Sequence, residues 1–365
     1  MNDNYLQVMN DSLKRFYRKA LLISLTNPRM AWFLFKTITR QRKAARLRLV
    51  WENRGVHVPP YLIVSITERC NLRCPGCYAQ AHQRNPDQQL LLARWREIFC
   101  EAQTLGISVI LIAGGEPFTR REFLSLTKAF PEIIFPVFTN GLLLNEELIG
   151  ELKVQKNVAP IISIEGFEKE TDARRGLGTF AHIQKIIMEL DKQGLFFGVS
   201  ITVTKENFGT VTDQAFIRTL LNAGCKVFIF VEYTPIEPET ENLILTADQR
   251  SCLNELMRNF QSEYQGLFVS FPGDEEMYGG CLAAGRGFVH ISSDGNLEPC
   301  PFAPYSDINL KDKSLQEALQ SGFLKEIRQN HANLKETAGG CSLWTQREWV
   351  LAILEQKNDQ PNHPL

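Results

Sequence analysis

Six short runs of apolar and β-branched residues recur along the chain, and each one is followed by an amphipathic stretch of helical periodicity. The six runs are YLIVSI (61–66), ISVILIA (107–113), IIFPVFT (133–139), APIISI (159–164), FFGVSITV (196–203) and KVFIFVE (226–232). The helix-like stretches lie near 90–105, 120–130, 144–154, 178–193, 209–223 and 246–262. Strands that are apolar along most of their length are typical of a parallel sheet buried on both faces. The pattern therefore predicts an α/β fold, either a doubly wound sheet or a partial barrel, and both gather ligands at the carboxyl ends of the strands.

Polar motifs follow the first four of these runs. A cysteine cluster follows the first run, and GGEP (Gly114–Pro117) follows the second. TNG (Thr139–Gly141) closes the third run, and SIEG (Ser163–Gly166) closes the fourth. Because the carboxyl ends of parallel strands meet at one edge of a sheet, we expect these motifs to form a single site.

The cysteine cluster places Cys70, Cys74 and Cys77 within eight residues, directly before Tyr78. Three thiolates are one short of a tetrahedral zinc site, which His82 could complete. The alternative is a metal cluster with one position left open for chemistry. The chain has nine cysteines in 365 residues, an odd number in a long chain, which favours metal binding in the reducing cytoplasm over a secreted disulfide framework.

The order of the motifs, Cys-x3-Cys-x2-Cys before an aromatic residue and then GGEP after the next strand, resembles the radical S-adenosylmethionine (SAM) superfamily over about residues 60–235. The resemblance implies a partial (β/α)6 TIM-like barrel with a [4Fe–4S] cluster on the three cysteines. It also implies that SAM chelates the fourth iron. A reduced cluster of this kind cleaves SAM to methionine and a 5′-deoxyadenosyl radical, which abstracts hydrogen from a substrate. An electron donor such as a flavodoxin or a ferredoxin is implied as a partner.

The resemblance also implies which residues bind the cofactor. These residues are Tyr78, Gly114, Gly115, Glu116, Pro117, Thr139, Asn140, Ser163, Glu165, Arg174 and Arg175. The backbone of Gly114–Glu116 would receive the methionine amino group, and the tyrosine would lie near the adenine. Ser163 and one of the two arginines would contact the ribose or the carboxylate.

A second cysteine group follows the barrel and consists of Cys281, Cys300 and Cys341. The first two flank FVHISSDGNLEP, whose Asp294-Gly295 pair predicts a β-hairpin. This region resembles, over about 275–345, the SPASM/twitch extension that carries auxiliary iron–sulfur clusters. Three cysteines imply at most one auxiliary cluster, and the alternative is that they bind zinc or no metal.

Several side chains outside these two groups also have predicted roles. The candidates for a fourth auxiliary ligand are Asp274, Glu275 and His290. The remaining cysteines that we expect to be small buried hydrophobes are Cys100, Cys225 and Cys252.

The segment from Ser12 to Trp51 contains no acidic residue but eleven lysines and arginines. Helical spacing places Leu13, Phe16, Tyr17 and Ala20 on one face, and Asn27-Pro28 reads as the cap and first residue of a second helix. The segment is consistent with a basic amphipathic pair on an anionic membrane surface or with helices packed against the barrel. Nucleic acid is less favoured, because the aromatic residues cluster as an apolar patch.

The predicted domains are a basic amphipathic helical segment (1–55), a radical SAM partial barrel (56–265) and a SPASM/twitch-like α+β extension (266–365). No apolar run approaches the length needed to span a bilayer. Because the clustered cysteines favour a reducing compartment, we expect a cytoplasmic protein, including a peripheral position at the inner face of the membrane. The substrate is open: a cofactor precursor, a lipid-like compound or another small molecule. A peptide-modifying maturase is the alternative, disfavoured because no leader-peptide-binding module is recognised before the barrel. An alternative of another class is a non-catalytic iron–sulfur carrier or scaffold.

Overall fold

The computed structural model describes residues 4–237, 239–271, 278, 280–334 and 341–358. Nine strands form one sheet in the order β7-β6-β5-β4-β3-β2-β1-β8-β9. The strands are β1 (Tyr61–Thr67), β2 (Val109–Gly114), β3 (Phe135–Thr139), β4 (Val158–Ile164), β5 (Gly198–Val203), β6 (Val227–Glu232), β7 (Leu267–Phe271), β8 (Phe288–Ile291) and β9 (Leu297–Glu298).

The topology of the sheet decides between the two predicted folds. Each strand from β1 to β7 lies beside the next in the chain and runs parallel to it. A doubly wound sheet reverses its strand order at a switch point, whereas this sheet never does so between β1 and β7. The prediction of a partial barrel is confirmed, and β7 adds a seventh parallel strand to the predicted six.

The predicted hairpin also forms and extends the same sheet. Strand β9 pairs with β8 in antiparallel orientation, and Gly295 in their turn has a φ of +95°. Strand β8 pairs with β1 in parallel orientation, from Tyr61 opposite Phe288 to Val64 opposite Ile291. The barrel and the predicted extension therefore share one continuous sheet, and the boundary proposed near residue 265 stays a prediction.

Fifteen α-helices occur in the described part of the chain. They are α1 (Asn4–Ile23), α2 (Pro28–Asn53), α3 (Tyr78–Ala81), α4 (Leu92–Leu105), α5 (Leu124–Ala129), α6 (Glu146–Val154), α7 (Glu168–Arg175), α8 (Thr179–Lys192), α9 (Phe208–Val211), α10 (Gln214–Asn222), α11 (Ala247–Glu263), α12 (Leu315–Leu319), α13 (Gly322–Gln329), α14 (Ser342–Thr345) and α15 (Arg347–Asn358). Short 3₁₀ helices lie at Pro117–Phe123, Glu241–Leu243 and His331–Asn333. The main core is apolar; within it, Phe99 of α4 lies 5.7 Å from Phe135 of β3, ring centre to ring centre.

Helices α1 and α2 close the amino end of the barrel. The Asn27 side chain caps α2 by accepting from Met30 N at 3.2 Å, and Pro28 is the first helical residue, as predicted. Ala20, Met30 and Leu34 of the pair form a second buried cluster with Ile161, Val227, Ile229 and Leu267 of the strands. The site predicted at the carboxyl ends therefore has a packed floor beneath it. No helix in the described ranges is both long enough and apolar enough to cross a bilayer.

Candidate active site

A cavity of about 280 Å³ opens at the carboxyl ends of the parallel strands. Both cysteine groups line it, with residues that follow β2, β3, β4 and β6. The six cysteines of the two groups and all residues predicted to bind SAM line this cavity, except Pro117 and Glu165. The expectation that the strand-end motifs lie together therefore agrees with the observed geometry.

The first cysteine group lies in the loop between β1 and α3. Gln80 donates to the carbonyl of Leu72 at 2.7 Å, which closes the loop on itself. Gly76 donates its backbone N–H to Glu237 at 2.8 Å, and its φ is +66°. A Cβ at this position would lie 2.3 Å from the Tyr233 hydroxyl, so the loop passes closely under the residues after β6.

The electrostatic environment of the three thiols is mixed. Burial raises the pKa of Cys70, and Glu116 and the two neighbouring thiols raise it further. Burial also raises the pKa of Cys74, whereas the nearby Arg175 and Arg174 act in the opposite direction. Positive charge from the two arginines therefore acts on the Cys74 thiol, and this charge favours a thiolate.

The end of β2 lies directly on the chain segment that precedes Cys70. Gly114 has a φ of +114°, and a Cβ there would lie 2.3 Å from the carbonyl oxygen of Thr67. A Cβ on Gly115 would lie 2.3 Å from the carbonyl oxygen of Arg69. Backbone bonds from Gly115 N to Thr67 O and from Glu116 N to Arg69 O, both 2.8 Å long, join the two segments. Only glycine fits at these two positions, because the neighbouring backbone leaves no room for a Cβ atom.

Glu116 is buried and ties the end of β2 to the end of β3. Its Oε1 accepts from the Thr139 hydroxyl at 2.7 Å and from Phe118 N at 3.2 Å, and its Oε2 accepts from Asn140 N at 2.7 Å. Burial raises the pKa of this carboxyl, and the three hydrogen bonds and Arg175 oppose the shift. Asn140 in turn donates to Asn71 in the cysteine loop at 2.8 Å.

Glu165 lies behind the cavity wall and holds two arginines. Its Oε1 accepts from Arg174 Nη1 at 2.9 Å and from Arg175 Nε at 3.0 Å. Burial alone would lower the pKa of Arg175, but contact with Glu165 and the proximity of Cys74 raise it overall. Glu165 therefore fixes the positive charge that faces the cysteine loop, while it does not itself line the cavity.

A Cys3His zinc site would require His82 and three thiols within reach of one ion. The Nε2–H of His82 donates to the carbonyl oxygen of Pro301 at 2.8 Å, which occupies one of its two ring nitrogens. In the described ranges, no three His, Cys, Asp or Glu side chains are grouped closely enough to hold a single ion.

The second cysteine group lines the same cavity, and all three of its thiols are buried. His290, one candidate for a fourth ligand, has both ring nitrogens engaged, at 2.8 Å from Ser65 Oγ and 2.8 Å from Glu298 Oε2. The candidates Asp274 and Glu275 lie outside the described residues. His82 and Arg84 reach from the first cysteine segment to Pro301 O and Glu298, so the two segments are bonded together.

The prediction that the remaining cysteines are buried is right for Cys225 and wrong for two others. Cys100 and Cys252 are exposed, because they occupy the solvent faces of α4 and α11. The periodicity of those helices was a better guide than the general tendency of cysteine to be buried.

The structure adds several site residues that were not predicted. Ser200 and Thr202 of β5 and Glu232 and Thr234 at the end of β6 line the cavity. Glu232 is buried, accepts from Arg250 Nε at 2.9 Å, and has a pKa that burial raises against the effect of that arginine. The rule that polar residues at strand ends form the site, applied to the fifth and sixth strands, would have found them.

The residues present fit an iron–sulfur cluster with SAM. One short loop supplies three thiols, the ligand type that holds such clusters. In the part of the chain that the structure describes, the buried oxygens of the cavity wall without a hydrogen-bond partner include Glu232 Oε1, Thr234 Oγ1 and Ser342 Oγ. Buried polar atoms are normally satisfied, so a bound molecule is the natural partner for these oxygens.

Comparison with known proteins finds similarity to one family of enzymes. Residues 64–216 match the model of the radical SAM superfamily. The AdoMet-dependent heme synthase of Methanosarcina barkeri is 25% identical over 313 residues, which cover 78% of this chain and 89% of that protein. The mycofactocin maturase MftC of Mycolicibacterium smegmatis is 25% identical over 316 residues, which cover 79% of this chain and 76% of that one. The crystal structure of Streptococcus suis SuiB bound to S-adenosylmethionine superposes with a TM-score of 0.62 at 19% identity, over 79% of this chain and 71% of SuiB.

Proposed function

We propose that this chain is a radical SAM enzyme whose cavity holds SAM beside the first cysteine group and a substrate beside the second. When bound, a [4Fe–4S] cluster supplies the electron that cleaves SAM to methionine and a 5′-deoxyadenosyl radical, which removes hydrogen from the substrate. The observation that carries the proposal is the single cavity lined by both cysteine groups. Radical formation and substrate then share one enclosure, as hydrogen transfer requires.

Cys70, Cys74 and Cys77 are the proposed cluster ligands, and the end of β2 is the proposed site of the SAM amino group. The carbonyl of Glu116 already accepts from Thr119 N at 3.0 Å and from the Thr119 hydroxyl at 2.7 Å, which uses both of its lone pairs. The carbonyls of the two preceding glycines are therefore the better acceptors for that group.

The other proposed contacts to SAM come from the walls of the cavity. Ser163 and one of the paired arginines contact the ribose or the carboxylate, and Tyr78 lies beside the adenine. Glu165 acts as a positioning residue, because its carboxylate holds both guanidinium groups from behind the wall. Thr139 and Asn140 act in the same way, since both donate to Glu116.

Cys281, Cys300 and Cys341 are proposed to hold one auxiliary iron–sulfur cluster. The support is that all three thiols are buried and line the cavity. The bonds of His82 and Arg84 to the segment around Cys300 support a fixed spacing between the two centres. The three thiolates would hold this cluster, and both ring nitrogens of His290 are engaged elsewhere. The fourth ligand would therefore be a substrate atom or a residue outside the described part of the chain.

The substrate class that the comparisons favour is a peptide, which was the alternative at the level of sequence. MftC is a maturase, and a second SuiB structure, bound to the precursor peptide SuiA, superposes over 85% of this chain with a TM-score of 0.61. A cofactor precursor of the tetrapyrrole type is the second candidate, because the heme synthase matches over 89% of its own length.

The remaining partners follow from the chemistry and the charge. A flavodoxin or a ferredoxin is the proposed electron donor, since each turnover consumes one electron to cleave SAM. The protein is proposed to be cytoplasmic and peripheral at the inner face of the membrane through residues 12–51, which carry only basic charges after Ser12.

The test is production of 5′-deoxyadenosine by the anaerobically reconstituted protein with SAM and dithionite. We expect Cys74→Ala to abolish it and Cys252→Ala, which removes an exposed thiol outside the cavity, to leave it intact. No 5′-deoxyadenosine from a protein with a full, reducible cluster would overturn the proposal.

Iron content tests the second centre separately. The Cys300→Ala variant should lose about four iron atoms per chain while it retains the spectrum of the first cluster. The Cys225→Ala variant removes a buried thiol outside the cavity and should lose none. Equal iron in wild type and Cys300→Ala would contradict an auxiliary cluster. Product analysis with an iron tetrapyrrole precursor and with candidate peptides then separates the two substrate classes.

A further inference from the structure

We propose that the outward face of α2 docks on an anionic membrane surface and that the cavity opens away from the bilayer. The outward face comprises Trp32, Phe35, Lys36, Thr39, Arg42, Lys43, Arg46, Leu49 and Val50, all of which are exposed. The inference deepens the proposed peripheral location and does not depend on the proposed radical chemistry.

Helix α2 divides cleanly into two faces. The buried residues recur every three or four positions and are Met30, Leu34, Thr37, Gln41, Ala44 and Arg48. The outward face repeats with the same spacing on the opposite side of the helix, since successive residues turn by about 100°. No acidic residue occurs between Pro28 and Trp51. The helix therefore presents to solvent a face that is only apolar, hydroxylic or cationic.

Large apolar side chains stand at both ends of this face. Trp32 is 58% exposed and Phe35 is 54% exposed, and their rings stack at 5.7 Å between centres. The ammonium group of Lys36 lies 4.9 Å from the Trp32 ring centre. Leu22, near the end of α1, is 64% exposed, and Leu25, in the turn before α2, is 60% exposed. Both extend the apolar end of the outward face. Isolated exposed hydrophobes are ordinary, but six of them on one helical hairpin are not.

The combination of side chains selects a lipid surface over other partners. Aromatic and aliphatic residues interleaved with lysine and arginine are the composition of helices that lie in the membrane interface, where the cations meet anionic headgroups. A second copy of the chain is disfavoured, because a two-fold contact would set this cationic face against itself. Nucleic acid would use the cations but not the aliphatic ends, and the aromatic faces are already occupied by each other and by Lys36.

Three hydrogen bonds from α2 and its cap determine which end of the barrel faces the membrane. Arg48 donates to Gly106 O at 2.7 Å, Arg40 to Pro131 O at 2.7 Å, and Asn27 to Gly194 O at 3.0 Å. These three acceptors lie in the loops just before β2, β3 and β5, so α2 crosses the amino end of the barrel. The cavity is at the carboxyl end. A substrate therefore reaches the site from the aqueous side, and a route directly from the bilayer is excluded by this placement.

The structure also changes which residues carry the attachment. The face predicted from α1 is used inside the protein, because Tyr17 is 5% exposed and Ala20 is 1% exposed against the barrel floor. Deleting the whole segment would uncover that floor and confuse folding with binding. Point substitutions on the outward face of α2 avoid the problem, since these side chains have few packed neighbours to lose.

The test is flotation of the full-length protein with phosphatidylcholine vesicles that do or do not contain phosphatidylglycerol. We expect binding only to the anionic vesicles, reduced by added salt, because exposed charges are screened. The double variant Trp32→Ser/Phe35→Ser should lower the partition coefficient at least about tenfold, since two interfacial anchors are lost. A charge variant, Arg42→Glu/Lys43→Glu, should lower it at low salt by a similar factor.

The matched control is Leu177→Ser, which removes a side chain that is 97% exposed beside the arginines of the cavity end. It should leave vesicle binding unchanged, and circular dichroism should show the same fold for all variants. Equal binding by wild type and the aromatic variant, no binding to anionic vesicles, or loss of binding in the control would each overturn the inference. So would tighter binding to single-stranded DNA than to vesicles. Cleavage of SAM is measured without vesicles, so its failure would count against the proposed chemistry and not against the docking face.

Discussion

The close backbone approach at the end of β2 gives a specific prediction for the Gly115→Ala variant. The new Cβ would lie 2.3 Å from Arg69 O, 2.7 Å from Arg69 C and 2.7 Å from Glu68 O. All three are backbone atoms, so no side chain can rotate away to make room. The segment that leads into Cys70 must therefore move away from the end of β2, by about 0.7 Å if the 2.3 Å contact is to open to about 3.0 Å, the shortest that real Cβ atoms show.

The cost can be worked out from the contacts that this movement breaks. Overpacking of a filled site costs about 1–3 kcal/mol. Stretching the bonds from Gly115 N to Thr67 O and from Glu116 N to Arg69 O beyond hydrogen-bonding range costs about 0.5–1.5 kcal/mol for each. Together they lower the free energy of unfolding by about 2–6 kcal/mol, a large share of the ~5–15 kcal/mol of a typical protein.

Two measurements on the variant test this reasoning. Urea unfolding of the metal-free protein, followed by circular dichroism, should show the loss of stability, and reconstitution should give less iron on the first cysteine group. The control is Gly150→Ala inside α6, where a Cβ meets nothing within 4 Å and should stabilise the protein by about 0.5–1 kcal/mol. A Gly115→Ala protein with wild-type stability and full iron content would refute the argument from close approach.

Three further changes test other parts of the structure. Glu116→Gln should lower the free energy of unfolding by about 1–3 kcal/mol, because the new amide N–H₂ must face a buried donor; an unchanged urea midpoint would contradict the bonding described. Asn27→Ala should cost about 0.5–2 kcal/mol through loss of the α2 cap, and Asn27→Ser should restore most of it, as urea unfolding would show; equal losses in both variants would exclude the capping role. At about pH 8, thiol labelling mapped by mass spectrometry should modify Cys100 and Cys252 but not Cys225, because burial raises the pKa of Cys225 to about 12; rapid labelling of Cys225 in the folded protein would disprove its burial.

Much of the fold and of the site was predictable because strand ends carry simple signals. Apolar runs predicted β1 to β6, and the motif after each of the first four predicted the residues that line the cavity. Asp294-Gly295 predicted the hairpin, since a glycine there has the positive φ that the turn needs. These features depend on local residue type and spacing, which a sequence displays directly.

Other features depend on contacts between distant parts of the chain. The pairing of β8 with β1 joins residues more than two hundred positions apart, and no local pattern records it. The sequence predicted that Glu165 binds the cofactor, but only the fold shows that it lies behind the cavity wall and holds two arginines. The sequence also did not show whether the apolar face of α1 packs against a membrane or against the barrel, since both environments bury the same kinds of side chain.

The continuity of the sheet has a consequence for recombining such enzymes. Strand β1, which leads into the first cysteine group, is held between β2 and β8, and β8 belongs to the region of the second group. A chimera joined at residue 266 would exchange β7 and leave β6 beside a foreign edge strand. A junction between β7 and β8 would keep β1 to β7 native, but the incoming hairpin would need to match the register of Tyr61–Val64. A new C-terminal region must therefore pair correctly with β1 before a chimera can fold and its substrate preference can be measured.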